Sequence, residues 1–380
     1  MKVFLFGGFG EKGRVCIGVE SGAGRVLIDV GVRTEGDETD RYPVVSSEFL
    51  QQTHGIIITH AHEDHIGAAG YCVRHGFKGS FYLTKATWNE ARQALQAYTP
   101  PADLAAFDKA PIKIIDPCGT HQIGDLTVKT GRSGHAVGGI WVAVGDGKRK
   151  IVHCGDVIPQ SPVLAMDPIP ACDVLVIDAS YGADTVAFSV RAARIRSWVA
   201  DAGACLLPTP ATGRVLELLA LLGGGVSIHA GLRRGLEEQL RAKDWFVPGA
   251  AENLAENLAR CADWTEGMAW PHTALLADDA MGLAGPARRL IPWAARQGVP
   301  VLGTGYLPQG SPLAQAHATG KADWLRFPTH PTGPENAEMV RSSRAKMVIA
   351  HSCPPSEMME LTQALPGLDA NLKTGDSFAV

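Results

Sequence analysis

The sequence has eight cysteines, Cys16, Cys72, Cys118, Cys154, Cys172, Cys205, Cys261 and Cys353, but no C-x-x-C pair. That scatter excludes zinc ribbons and disulfide frameworks and points to a reducing compartment. It also lacks an apolar run long enough to cross a bilayer, and Met1-Lys2-Val3-Phe4-Leu5-Phe6 is too short for a secretory core before Gly7-Gly8 interrupts it. A cytoplasmic protein without a membrane partner is expected. Positive charge is short as well: 35 Lys+Arg against 39 Asp+Glu leave a net charge of -4. Between Gly182 and Gly310 the 12 basic residues are matched by 12 acidic ones. No basic stripe is available for a polyanion, so any phosphate recognition must be local. The apolar fraction of 46% is ordinary for a globular chain, and 380 residues suggest two compact units.

Against this background one stretch is dense in chemistry. Thr59-His60-Ala61-His62-Glu63-Asp64-His65-Ile66-Gly67 follows the apolar run Ile56-Ile57-Ile58. A strand ending here delivers side chains into a cleft, and Gly67-Ala68-Ala69-Gly70 is small enough to start a helix behind them. His60 and His62, two apart on extended backbone, point the same way and can grip one ion. Asp64 and His65 lie past the turn and face a second. Imidazole and carboxylate ligands suit zinc and would also accept manganese or iron.

Short strands separated by glycine turns are expected at 3–6, 14–19 and 25–30. Asp29 ends the third, where its carboxylate can hold a metal-ligand histidine or simply close a turn. A helix over 68–75, a strand over 80–83 and a helix over 87–98 follow, then strands at 112–115, 126–130, 140–144 and 150–153. His135 sits in a turn between two of these, and Asp156 follows another. They complete a set: His60, His62 and His135 for one ion, Asp64, His65 and Asp156 for the other, with Asp156 bridging through its two oxygens.

This pattern of an inward Asp, H-x-H-x-D-H, a later His, a later Asp and a final His resembles the metallo-β-lactamase superfamily. The likeness extends over nearly the whole chain to its nucleic-acid-processing β-CASP branch, which includes ribonuclease J and the mRNA 3′-end processing nuclease. Gly7-Gly8-Phe9-Gly10-Glu11-Lys12-Gly13 is similar to the glycine-rich opening of ribonuclease J, Val174 to Gly182 resembles the branch's acidic motif A, and His330 and His351 match motifs B and C. The resemblance implies an αββα sandwich of residues 1–181 and 311–380 with an inserted α/β cap at 182–310, and two divalent metal ions. It further implies that His351 is a last metal ligand and that Asp178 orients His330. Two departures touch the substrate edge: His330 is followed by Pro331-Thr332-Gly333-Pro334-Glu335, and His351 by Ser352-Cys353-Pro354-Pro355. The sequence also ends at Val380, without the extra C-terminal domain of ribonuclease J.

Within the cap, strands at 204–208, 226–229, 273–276 and 299–303 alternate with helices at 214–222, 232–243 and 286–297, which implies a largely parallel sheet. Two post-strand loops are candidate phosphate cradles, with Thr212, Gly213 and Arg214 in one and Ser311 in the other; tight-turn chemistry explains them equally well.

The mechanism expected for this set is two-metal phosphodiester hydrolysis. Coordination lowers the pKa of water to about 7, the metal-bridging hydroxide attacks phosphorus, and His330 assists the leaving group. The implied function is a β-CASP-type ribonuclease acting on RNA or another single-stranded nucleic acid, with Asp64, Asp178 and His330 as catalytic residues. Alternatives on the same metal site are a DNA exonuclease and a small-molecule phosphodiester or ester hydrolase, including thioester, lactone or glyoxalase-like chemistry. A non-catalytic scaffold would normally have lost metal ligands. Sugar preference, cleavage mode, native metal and oligomeric state stay open.

Overall fold

The computed structural model describes residues 1–35, 38–365 and 367–380. Its first sheet begins with antiparallel β1 (Lys2–Gly7), β2 (Cys16–Ser21) and β3 (Gly24–Ile28) and continues in parallel through β4 (Gly55–Ile57), β5 (Ser80–Leu83) and β6 (Ile112–Ile114). The strand Ser377–Ala379 closes its other edge against β1. The second sheet is an antiparallel run of β7 (Thr120–Ile123), β8 (Leu126–Arg132), β9 (Ile140–Gly145) and β10 (Lys150–His153). It then turns parallel through β11 (Val174–Asp178) and the strand Met347–His351.

Strand alternation builds the layers. In β3, Val26 and Ile28 enter the core shared with the second sheet, while Leu27 faces a separate core with Phe49, Leu50 and Ile66. In β11, Val174 and Val176 face that shared core and Leu175 and Ile177 face Met339, Met358 and Leu361. Each sheet thus buries both faces, one on the other sheet and one on helices, which is the expected αββα sandwich.

Between β11 and its parallel neighbour Met347–His351 the chain leaves to make a third sheet. It is all parallel in the order β12 (Leu206–Pro208), β15 (Leu275–Ala277), β13 (Ser227–His229), β14 (Ala262–Trp264). The helix Arg214–Leu222 and the strands 80–83 and 150–153 have the expected bounds. Within residues 182–310 two α-helices are additional. Phe188–Ala202 buries only Ala192 and Ile195 and so carries no continuous apolar stripe, whereas Ala250–Arg260 packs Ala250, Ala251, Leu254 and Leu258 on one face. No helix among the described residues is long and apolar enough to cross a membrane.

One buried acid ties the third layer to the second. Glu217, in the middle of the apolar helix Arg214–Leu222, is 1% exposed. The Ser161 hydroxyl accepts from Val163 N (3.0 Å) and Leu164 N (2.8 Å), so its own proton goes to Glu217 Oε1. Oε2 has no partner among the described residues, and burial pushes the carboxyl up from 4.5 to about 7. A carboxyl raised on folding leaves the folded chain holding more protons, so stability is greatest below the unfolded value and falls as pH rises toward 7. The loss above pH 7 is about 3 kcal/mol. Glu217→Gln is expected to melt several degrees higher than the native chain at pH 8, with the gap mostly closed at pH 4.5. Thermal denaturation across that range checks it.

Candidate metal centre

One end of the sandwich collects the polar side chains. Asp29 follows β3, Thr59, His60 and His62 follow β4, and His135 lies in the turn between β8 and β9. His153 and Asp178 end β10 and β11, Asp156 comes just past β10, and parallel register sets Asp178 beside His351. Asp64 and His65 lie in the single turn Glu63–Ile66, whose N-cap is His62.

His60, His62, His135 and Asp156 bring one ligand atom each to within 4.8 Å of one another. His62 Nδ1 lies 3.0 Å from His60 Nε2 and 3.2 Å from His135 Nε2, and Asp156 Oδ2 is 3.7 and 3.6 Å from those two nitrogens. The outer nitrogens fix the tautomers. His135 Nδ1 donates to Thr329 O (2.8 Å), His60 Nδ1 to Thr59 Oγ1 (3.1 Å) and His62 Nε2 to Thr212 Oγ1 (3.2 Å). Three lone pairs therefore converge on one point. Burial disfavours the charged forms and the neighbouring imidazoles add to this: His60 and His62 are held well below the usual histidine range. His135 lies at about 4, chiefly through burial. Neutral imidazoles beside a carboxylate are the donor set of a divalent cation.

A second group surrounds His65. Its Nδ1 is 2.8 Å from Asp29 Oδ2, while Nε2 lies 3.1 Å from Asp156 Oδ1 and 3.7 Å from Asp64 Oδ2. His65 Nε2 and Asp156 Oδ1 are both buried and neither makes a well-formed hydrogen bond among the described residues. Such paired orphans are rare and fit a cation between them. Burial opposes charge on both groups, yet Asp156, Asp64 and Asp29 raise His65 well above its usual range, and His65 and His330 draw Asp156 far below its own. A field that strong toward positive charge suits a divalent ion.

The remaining expected residues divide. His330 Nδ1 is 2.8 Å from Asp178 Oδ2, and Asp178 also accepts from Ser180 N (3.0 Å), Ser180 Oγ (2.6 Å) and Val157 N (3.3 Å). His351 has ligand atoms near Asp156 and Asp178, but its Nε2 lies 3.1 Å from Gly155 O and its Nδ1 3.0 Å from Ser352 Oγ. It would exchange the carbonyl for an ion. Thr212 and Gly213 do reach the centre from the third layer, yet not as open phosphate cradles. Thr212 orients His62, and a Cβ on Gly213 (φ +65) would sit 2.6 Å from His135 O. Arg214 reaches Thr329 Oγ1 (3.3 Å) with no carboxylate partner among the described residues, and Gly305 makes room for it, since a Cβ there would lie 2.0 Å from Arg214 Nη1. Ser311 is not brought to the cluster: its hydroxyl caps the helix Pro312–Ala318 through Ala314 N (3.2 Å).

Sequence reasoning missed His153 and Thr59. Both serve Asp29, which accepts from Thr59 N (2.7 Å) and Thr59 Oγ1 (2.8 Å) and lies 3.3 Å from His153 Nε2. His153 shares the inward face of β10 with Ile151, and a histidine on the inner face of a core strand is the signal that could have found it. Replacing the groups that aim a ligand usually weakens metal binding 10- to 100-fold. Thr212→Val is expected to retain metal on purification but lose it to a chelator at least about tenfold more readily. His62→Ala is expected to fall below one full equivalent at the first site, with elemental analysis and chelator competition as the readouts.

Residues 10–227, more than half of the chain, match the family model described as the metallo-beta-lactamase superfamily. Among curated proteins, the chain is 31% identical over 251 residues to the transcription termination factor FttA of Methanothermobacter thermautotrophicus, covering 58% of this chain and 39% of that protein. It is 26% identical over 237 residues to an RNase J-like protein of Methanocaldococcus jannaschii (57% of this chain, 53% of that one). With endoribonuclease YSH1 of Yarrowia lipolytica it shares 26% over 254 residues (60% and 30%). The chain thus spans well under two thirds of the length of these relatives. In fold it is similar to a crystallised protein of unknown function from Enterococcus faecalis V583, at a TM-score of 0.64 and 10% identity over 100% of this chain and 99% of the other. The chain belongs to the metallo-β-lactamase superfamily, and its likeness to the β-CASP branch holds across those curated relatives.

Proposed function

We propose that this protein is a two-metal phosphodiester hydrolase of the β-CASP type that cleaves RNA, with residues 182–310 acting as the cap over its centre. The observation that carries the reading is the Asp178–His330 pair beside the two ligand groups. Metal binding alone has no need of such a pair, whereas expulsion of an alkoxide does. The nuclease names among the relatives point the same way.

His60, His62, His135 and Asp156 would hold one divalent ion, and Asp64, His65 and Asp156, with His351 after it releases Gly155 O, the other. Zinc suits that nitrogen and oxygen set best. Bound ions supply a water of low pKa and neutralise charge on a phosphoryl group. The chain's own residues do the rest. Asp178, saturated by Ser180 and Val157, accepts from His330 Nδ1 and so leaves Nε2 as the nitrogen that gives a proton to the departing oxygen. Burial opposes charge on His330, but Asp178 and Asp156 raise it above the usual histidine range, so it carries the proton it must deliver. Arg214, without a carboxylate partner among the described residues, would meet a non-bridging phosphate oxygen.

Metal-loaded protein is expected to cleave end-labelled single-stranded RNA, and Asp64→Ala to abolish cleavage. His330→Ala should keep its metal and lose about 10²- to 10⁴-fold in rate, the range of a general acid. Unchanged turnover in that variant would remove His330 from the mechanism. Preference for DNA of the same sequence, or cleavage of neither polymer by metal-replete protein, would move the substrate to DNA ends or to a small ester.

A further inference from the structure

Between the helices Lys85–Tyr98 and Ala230–Leu240 lies a slot of about 80 Å³, room for a handful of waters or the edge of one flat ring. Its lining includes Val137, two residues beyond His135, and Thr212, whose hydroxyl meets His62 Nε2 at 3.2 Å. The slot therefore lies against the threonine that holds His62, between the sandwich and the third layer.

Its chemistry is unlike that of a phosphate site. None of the lining residues is lysine or arginine. Gln239 lines it at 5% exposure, with Nε2 donating to Ala211 O (3.0 Å) and Oε1 without a partner among the described residues. A buried carbonyl of this kind is rare and asks for a donor. Glu90, partly buried, lines the same slot with no ion pair or hydrogen bond among the described residues. Two acceptors without partners on one slot match the two hydrogens of an exocyclic amine. Gly235 keeps the wall open: a Cβ built there meets nothing within 4 Å.

We propose that this slot is a base-recognition subsite, taking the amino-bearing edge of a cytosine or adenine in the strand being cleaved, read by Glu90 and Gln239. The proposal rests on the nuclease reading and refines it: the ions and Arg214 hold the phosphate, and the slot selects the neighbouring base. Single-stranded RNA is read in this way, on the Watson–Crick edges of splayed bases, and glutamate and glutamine are the side chains that pair with amino-bearing ones. Uracil presents a carbonyl where the amine should be and leaves the Gln239 acceptor unmet.

The test is titration of metal-loaded protein with cytidine, adenosine and uridine by ligand-observed NMR, beside Gly235→Leu and Gln239→Leu. Cytidine and adenosine should bind at least tenfold more tightly than uridine. Gly235→Leu, which fills the slot from an open helix face, should lose that binding at least tenfold with metal content and melting temperature unchanged, and Gln239→Leu should lose the discrimination. Equal binding of uridine, no saturable binding of cytidine or adenosine, or native affinity in Gly235→Leu overturns the proposal. Failure to cleave any RNA would instead sink the nuclease reading, and the nucleoside titration decides the slot independently of that result.

Discussion

The centre depends on one buried carboxylate. Asp29 is fully buried at φ +59, and it gathers Thr59 N, Thr59 Oγ1, His65 Nδ1 and His153 Nε2. Thr59 and His65 belong to the first sheet's loops and His153 to the second sheet, so a single side chain ties the two sheets together at the floor of the cleft. Burial would raise its pKa, but His65 and His153 hold it at about 2. A charged group can stay buried only when its oxygens are so occupied. The surrounding backbone is threaded with little tolerance: a Cβ on Gly31 would lie 1.6 Å from Asp64 O, and Val30 N donates to His65 O. The ligand-bearing turn therefore has one place to sit.

The third layer contributes orientation to that centre as well as cover. Thr212 reaches His62 and Gly213 abuts His135. The same short loop supplies Arg214, a cation without an acid partner among the described residues. A balanced overall charge is consistent with this economy. A guanidinium partly shielded from solvent would act on a phosphate more strongly than a screened surface stripe, because the local dielectric is lower.

The unusual residues around the two late histidines turn out to be structural supports. Thr332 and Glu335 form a reciprocal capping box, with proline in the first turn, that starts the helix Gly333–Ser343 immediately after His330. From that helix Asn336 Nδ2 donates to Asp178 O at 2.9 Å, so the proline-rich stretch also anchors His330's partner. Ser352, at φ +60, places its hydroxyl 3.0 Å from His351 Nδ1.

Much of this was legible in the chain itself. Periodicity of two in the strands and the apolar stripe of Arg214–Leu222 are local properties, and so is the H-x-H-x-D-H spacing that puts four ligand candidates on one turn. The helix Phe188–Ala202 was not legible, because it buries too few residues to print a stripe. The roles of His153, Thr59 and Thr212 were not legible either, since each depends on a partner 30 to 150 positions away. Sequence alone determined which residues could bind a cation and which layers they would hang from. Only the tertiary structure decided which nitrogen each histidine turns inward, that His351 meets a carbonyl, and that Ser311 caps a helix away from the cluster, because tautomer, aim and partner are set by contacts between distant segments.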